Sequence, residues 1–141
     1  LQVVTGAKSR LKRCSRADAL NRLAQARSFV EVAALVLSAD DEAANPGVAA
    51  ALAVLAGIAA SDAACCARLG LRAKGDSHDG AVAVLATVEP HGHEMAKDLE
   101  RLLNRKDDSH YGVAFVARGN AERMVNWAIR LTALATSAVE A

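Results

Sequence analysis

The stretch Leu102-Leu103-Asn104-Arg105-Lys106-Asp107-Asp108-Ser109-His110-Tyr111-Gly112 gathers two cations, two carboxylates, an imidazole and a phenol within eleven residues. Those residue types suit RNA cleavage without a metal ion. Histidine titrates near neutral pH, so His110 can take or return the proton of a 2′-hydroxyl. Lys106 or Arg105 can hold the scissile phosphate and stabilise the negative charge that develops on it. Asp107 or Asp108 can orient the cation or the imidazole, and Tyr111 can donate a hydrogen bond or stack on a base. Projected at about 100° per residue from Met95, Leu99 falls at ~40°, Leu102 at ~340° and Leu103 at ~80°. Lys106 then lies at ~20° and His110 at ~60°, on the apolar stripe, with Arg105 at ~280° on its flank. A lysine and a histidine on an inward-facing stripe cost stability unless they line a cleft or an interface. The competing explanation is structural. Lys106 then snorkels from the end of the stripe, and His110 is a C-terminal helix cation favoured by the dipole.

The elements that must position this stretch read as helices. Ser15 and Asp18 form an S-x-x-D capping box, which predicts a first helix from Ser15. Its apolar stripe falls at Leu20, Leu23, Ala26, Val30, Ala34 and Leu37, with Arg22, Arg27 and Glu31 pointing elsewhere. A loop from Ser38 to Gly47 carries Asp40, Asp41, Asn45 and Pro46. The second helix, from about Gly47 to Arg72, is apolar nearly all round and belongs in the middle of a bundle or at a subunit interface. A third, Ala81 to Val88, stops before Pro90. The fourth starts near His91 to His93 and carries Met95, Leu99, Leu102 and Leu103 on one face, with Gly112 as its expected end. Asn120 is the expected cap of the last helix, whose apolar face is Met124, Trp127, Ala128, Leu131 and Leu134. Short connections then favour an all-α, antiparallel bundle of about five helices. It is divided into a basic arm over 1–14 and one domain over 15–138.

Composition agrees. Half of the 141 residues are apolar, with alanine abundant and aromatics only 3%, which favours helices over strands. The net charge of +1 excludes a global electrostatic attraction to nucleic acid. Locally, Lys8, Arg10, Lys12, Arg13 and Arg16 precede the first acid, Asp18, and an arm with Lys8, Arg10, Lys12 and Arg13 either touches phosphates or is simply solvated. The apolar run Val48 to Ala60 is too short to span a bilayer, and the N-terminus has no signal-peptide pattern. Cys14, Cys65 and Cys66 are expected to be small buried thiols in a reducing cytosol, because adjacent cysteines on a helix point apart and no zinc spacing is present. His91-Gly92-His93 lacks a third ligand, so no metal and no cofactor is expected. Asp62, in an apolar helix, needs a partner or a proton if buried, and would serve either as a structural hydrogen-bonding group or as part of a cleft.

The helical layout together with Arg105-Lys106-Asp107-Asp108-Ser109-His110-Tyr111-Gly112 resembles the HEPN family (higher eukaryotes and prokaryotes nucleotide-binding). That resemblance implies a small helical bundle and a homodimer with the fourth helix near its two-fold axis. It also implies a metal-independent endoribonuclease of a toxin–antitoxin or stress and defence module, in the cytoplasm beside a nucleotidyltransferase-like antitoxin. The family signature is an arginine, four to six residues, then a histidine, with Asn, Asp or His directly after the arginine. Two registers fit. In one, Arg105 and His110 are the pair and Lys106 occupies the polar position. In the other, Lys106 aligns with the arginine, Asp107 with the polar residue and Tyr111 with the histidine. The alternative function is a non-catalytic HEPN-fold binding or scaffold protein for nucleic acid, nucleotide or a protein partner.

Overall fold

A computed structural model describes residues 10–75, 78–105 and 115–141. Among them are five helices and one small two-stranded sheet, in the order β1 (Leu11–Arg13), α1 (Arg16–Ser38), α2 (Pro46–Leu69), β2 (Leu71–Ala73), α3 (His78–Ala86), α4 (Gly92–Asn104) and α5 (Arg118–Glu140). The architecture is an all-α bundle. Lys8, Lys106, Asp107, Asp108, His110, Tyr111 and Gly112 lie outside the described residues.

Helix α1 begins as its capping box requires. The Ser15 hydroxyl accepts from the Asp18 amide, and the Asp18 carboxylate accepts from the Ser15 amide at 2.8 Å. Its buried face is Ala19, Leu23, Ala26 and Ala33, with Val30 and Leu37 half-buried. Leu20 and Ala34, expected in that stripe, are exposed. The face that packs closely on α2 selects alanines, because small side chains let two helices approach.

Helix α2 is the centre of the bundle. Asn45 caps it, its side chain accepting from the Gly47 amide at 2.9 Å, and Pro46 fills the first turn, where no amide is needed. By length and mean hydropathy, 1.9, this helix could cross a bilayer, but 72% of the window concerned is buried by its neighbours here. At Gly57 the packing is closest. A Cβ there would stand 2.6 Å from Leu102 Cδ1 of α4 and 3.5 Å from Leu131 Cδ2 of α5, so glycine is what lets three helices meet.

The helix ends at Leu69 rather than the expected Arg72. Gly70 takes φ +68°, a left-handed conformation that closes α2 and turns the chain directly into β2. There Arg72 pairs with Lys12 in an antiparallel register, with Leu11 opposite Ala73 and Arg13 opposite Leu71. Residues 11–13 are therefore a strand docked on the bundle. A second difference follows beside it. Cys14 and Cys66 form a disulfide, with Cα atoms 5.3 Å apart, and only Cys65 remains a free thiol. The expectation of three reduced cysteines is corrected. Adjacency does bar Cys65 from pairing with Cys66, but β1 brings a cysteine 52 residues away against the last turn of α2.

At the other end, α5 begins at Arg118 with Ala117 as its cap. Asn120, the expected cap, lies inside the first turn and accepts from Arg123 instead. Met124, Ala128 and Leu131 are buried as expected, with Trp127 and Leu134 half-buried.

Candidate nucleic-acid interface

Helix α4 has two faces that matter. The stripe Met95, Leu99, Leu102 and Leu103 is buried as its spacing requires. Asp98 is buried too, its side chain 1% exposed, at the edge of that stripe facing α5. A carboxylate there needs partners. Arg130 of α5 supplies them, donating from Nε to Oδ2 at 2.8 Å and from its terminal nitrogen to Oδ1. Arg101, one turn along α4, adds a longer contact of 3.4 Å. The hydrogen bonds that Arg130 donates to Asp98, and then the charge of Asp98, push the Arg130 pKa above its ordinary value.

Arg101 and Arg105 stand four residues apart and so share a face of α4. Both place their guanidinium carbons 5.8 Å from the centroid of the Trp127 ring on α5. Trp127 and Arg130 are themselves three apart. The result is a patch built by two helices, in which Arg101 stands both over the indole, with Arg105, and beside the buried carboxylate, with Arg130. Guanidinium groups over an aromatic face are held by its quadrupole. Arg130 gives two nitrogens and Arg101 one to Asp98, so the face joins cations to an aromatic ring around a fixed acid. Arg105 is also the residue that closes α4, its amide donating to Leu102 O at 3.1 Å. The helical projection of Lys106 and His110 assumed a continuous helix through them, and the described helix ends before either.

A second polar cluster lies across the bundle core. Asp62 of α2 receives Arg22 of α1 at 2.9 Å, so Arg22 points inward rather than away from the stripe. Burial raises the Asp62 pKa more than Arg22 lowers it. Asp62 floors a cleft of about 190 Å³ whose walls include Ile58, Leu99, Leu103, Arg72 and His78. Leu103 is two residues before Arg105, so α4 contributes to this cleft as well as to the arginine patch. Ser61 serves Cys65 as a hydrogen-bonding neighbour, and burial, with Asp62 nearby, pushes the Cys65 thiol up to about 12. It stays protonated and unreactive.

Of the residues singled out by sequence, Arg105 joins the arginine patch, while Arg10, Lys12 and Arg13 lie in or beside the sheet. Asp62 joins Arg22 and Arg72. His91 occupies the cap of α4 at φ +72°, its Nδ1 3.6 Å from Glu94, and among the described residues no group of three His, Cys, Asp or Glu side chains is placed to hold a metal ion. Sequence reasoning missed Asp98, Arg101, Trp127 and Arg130 as a unit. The helical projection that ordered α4 would have put Asp98 at ~300°, beside Leu102, and a carboxylate there signals a buried partner.

No family model, no curated protein and no solved structure matches this chain.

Proposed function

We propose that this chain is an HEPN-like RNA-binding protein that engages single-stranded RNA on the α4–α5 face, with the segment from Arg105 to Tyr111 as a metal-independent cleavage centre. One observation carries the reading: Arg101 and Arg105 both stand over Trp127, at the point where that segment leaves α4. An aromatic ring among guanidinium groups is the combination that single-stranded nucleic acid uses, stacking for the base and cations for the backbone. In this reading Arg105 or Lys106 holds the scissile phosphate, His110 moves the proton, Asp107 orients them and Tyr111 supports the substrate. A homodimer and a nucleotidyltransferase-like antitoxin partner belong to the same proposal. So does cytoplasmic residence, where the thiol pool would open the Cys14–Cys66 bond. RNA binding should therefore be measured on oxidised and reduced protein alike.

Fluorescence anisotropy with a labelled single-stranded RNA tests the binding half. Arg101→Gln should weaken binding and lower the slope of log K against log salt by about 0.7, the release expected for one phosphate contact to a single strand. Unchanged affinity and slope in both Arg101→Gln and Arg105→Gln would remove the α4–α5 face from the account. The second reading, a non-catalytic module for a protein partner, is favoured by Leu35 and Phe115, which are 62% and 89% exposed. It predicts binding of no RNA at all.

A further inference from the structure

The β1–β2 sheet places two like charges directly opposite each other. Lys12 and Arg72 are register partners in an antiparallel pair, so their side chains leave the same face of the ribbon, and like charges so placed repel. Both line a groove of about 480 Å³ between the sheet and α1, together with Arg13, Arg22, Asn21 and Gln25. Two carboxylates share the groove and attract its cations, Asp18 drawing on Arg72 and Lys12 and Asp62 on Arg22 and Arg72. Asp18 accepts from the Ser15 amide, and Asp62 accepts from Arg22. Among the described residues no carboxylate forms an ion pair with Lys12, Arg13 or Arg72. Four cations thus face two acids, an excess of positive charge, and Arg72 also gives one terminal nitrogen to Ala73 O at 3.3 Å.

The frame around them is firm. The Cys14 amide donates to Gly70 O at 3.0 Å, the Lys74 amide donates to Arg10 O at 2.7 Å, and the Cys14–Cys66 bond ties the end of β1 to α2. The sheet therefore cannot relieve the repulsion by drifting off the bundle. An anion accepting from both side chains would relieve it. The arginine fork matches two oxygens of a tetrahedral anion, the lysine supplies a point charge, and the amides of Asn21 and Gln25 offer further neutral donors.

We infer that this groove is a binding site for a phosphate group, held between Lys12 and Arg72, with Arg13 and Arg22 at its margins. It is separate from the α4–α5 face, and it stands whether or not that face binds RNA. The phosphate could belong to the backbone of a polynucleotide or be a free or terminal phosphate, and the chemistry of recognition is the same.

Calorimetric titration of the oxidised full chain with inorganic phosphate tests the site, with Lys12→Gln, Arg72→Gln and Arg123→Gln compared. Arg123 sits on the exposed side of α5 and controls for the loss of one charge. The expected result is saturable binding that weakens at least about tenfold in Lys12→Gln and Arg72→Gln but not in Arg123→Gln, a factor equivalent to about 1.4 kcal/mol. Absence of saturable binding, or equal weakening in Arg123→Gln, overturns the proposal. Short RNAs with and without a 5′-phosphate separate the sources. Competition by phosphate against both RNAs indicates the backbone, and competition against the phosphorylated one alone indicates a terminal group.

Discussion

Replacing Cys14 by serine opens a cross-link between residues 52 apart in sequence. Cys14 is half-buried at the surface end of the sheet, so serine there adds little cost of its own. Most of the effect should come from the unfolded chain, which regains the freedom that the closed loop denies it. The chain-entropy relation gives about 4 kcal/mol for a loop of this size, and measured native disulfides commonly deliver 2–4 kcal/mol. That is on the order of a third of the stability of an ordinary domain, and in melting temperature on the order of 10 °C. Urea denaturation of oxidised wild type, reduced wild type and Cys14→Ser measures it. The reduced protein and the variant should unfold at the same, lower urea concentration. Reductant should not shift Cys14→Ser further, because Cys65 and Cys66 are neighbours on one helix and cannot pair with each other. In denaturant the oxidised protein should show one titratable thiol, Cys65. Superimposable transitions for oxidised and reduced wild type would refute the reasoning, since a bond that constrains this loop cannot be opened without consequence.

The Asp62 carboxyl is raised chiefly by burial, so the folded state keeps its proton to higher pH than the unfolded chain does. Stability should therefore fall as pH rises from the ordinary carboxylate range through the folded pKa. Asp62→Asn should lack that slope in pH-dependent denaturation, and a wild type with no extra slope would speak against the burial argument. Asp98→Ala removes the acceptor of Arg130 and Arg101 and should cost about 1.5–3 kcal/mol, the range for a hydrogen bond to a charged group, by chemical denaturation. A cost under about 0.5 kcal/mol, typical of a surface substitution, would mean that the pair does not hold α4 to α5. Two glycines should respond in opposite directions. A Cβ at Gly92 would meet Ala86 O at 2.7 Å and Leu85 O at 2.9 Å, backbone that cannot step aside, so Gly92→Ala should destabilise by about 1–3 kcal/mol. Gly119 has open space in the first turn of α5, and Gly119→Ala should stabilise by about 0.4–1 kcal/mol. Equal melting temperatures for the two variants would contradict both readings.

Much of the helical frame was legible because local chemistry writes it plainly. The Ser15–Asp18 box, a second helix beginning within a residue of Gly47 and the Met95–Leu103 stripe all depend on residues within a turn or two of each other. The two-stranded sheet was not legible. Leu11-Lys12-Arg13 and Leu71-Arg72-Ala73 have no β-branched residues and are too short for an alternation to stand out, and their pairing depends on the positive φ of Gly70 and on contacts between distant parts of the chain. The disulfide was hidden for the same reason, since the conspicuous neighbours Cys65 and Cys66 drew attention from the partner that tertiary structure selects. Arg22 was assigned by helical phase alone, which ignores the reach of a long side chain toward a buried acid such as Asp62. Trp127 read as core, and half of that is right. Its ring packs on the bundle while also carrying Arg101 and Arg105, a contact between α4 and α5 that no single-helix projection contains.

The central claim is that the α4–α5 face delivers RNA to the segment beginning at Arg105. Its most direct test is a cleavage assay on labelled single-stranded RNA, with and without EDTA, in wild type, Arg105→Ala, Lys106→Ala and His110→Ala, with bound RNA quantified in the same samples. The account predicts cleavage that survives EDTA and is lost in His110→Ala, while that variant still binds, and weaker binding in Arg105→Ala. A folded wild type that neither binds nor cuts RNA would contradict it.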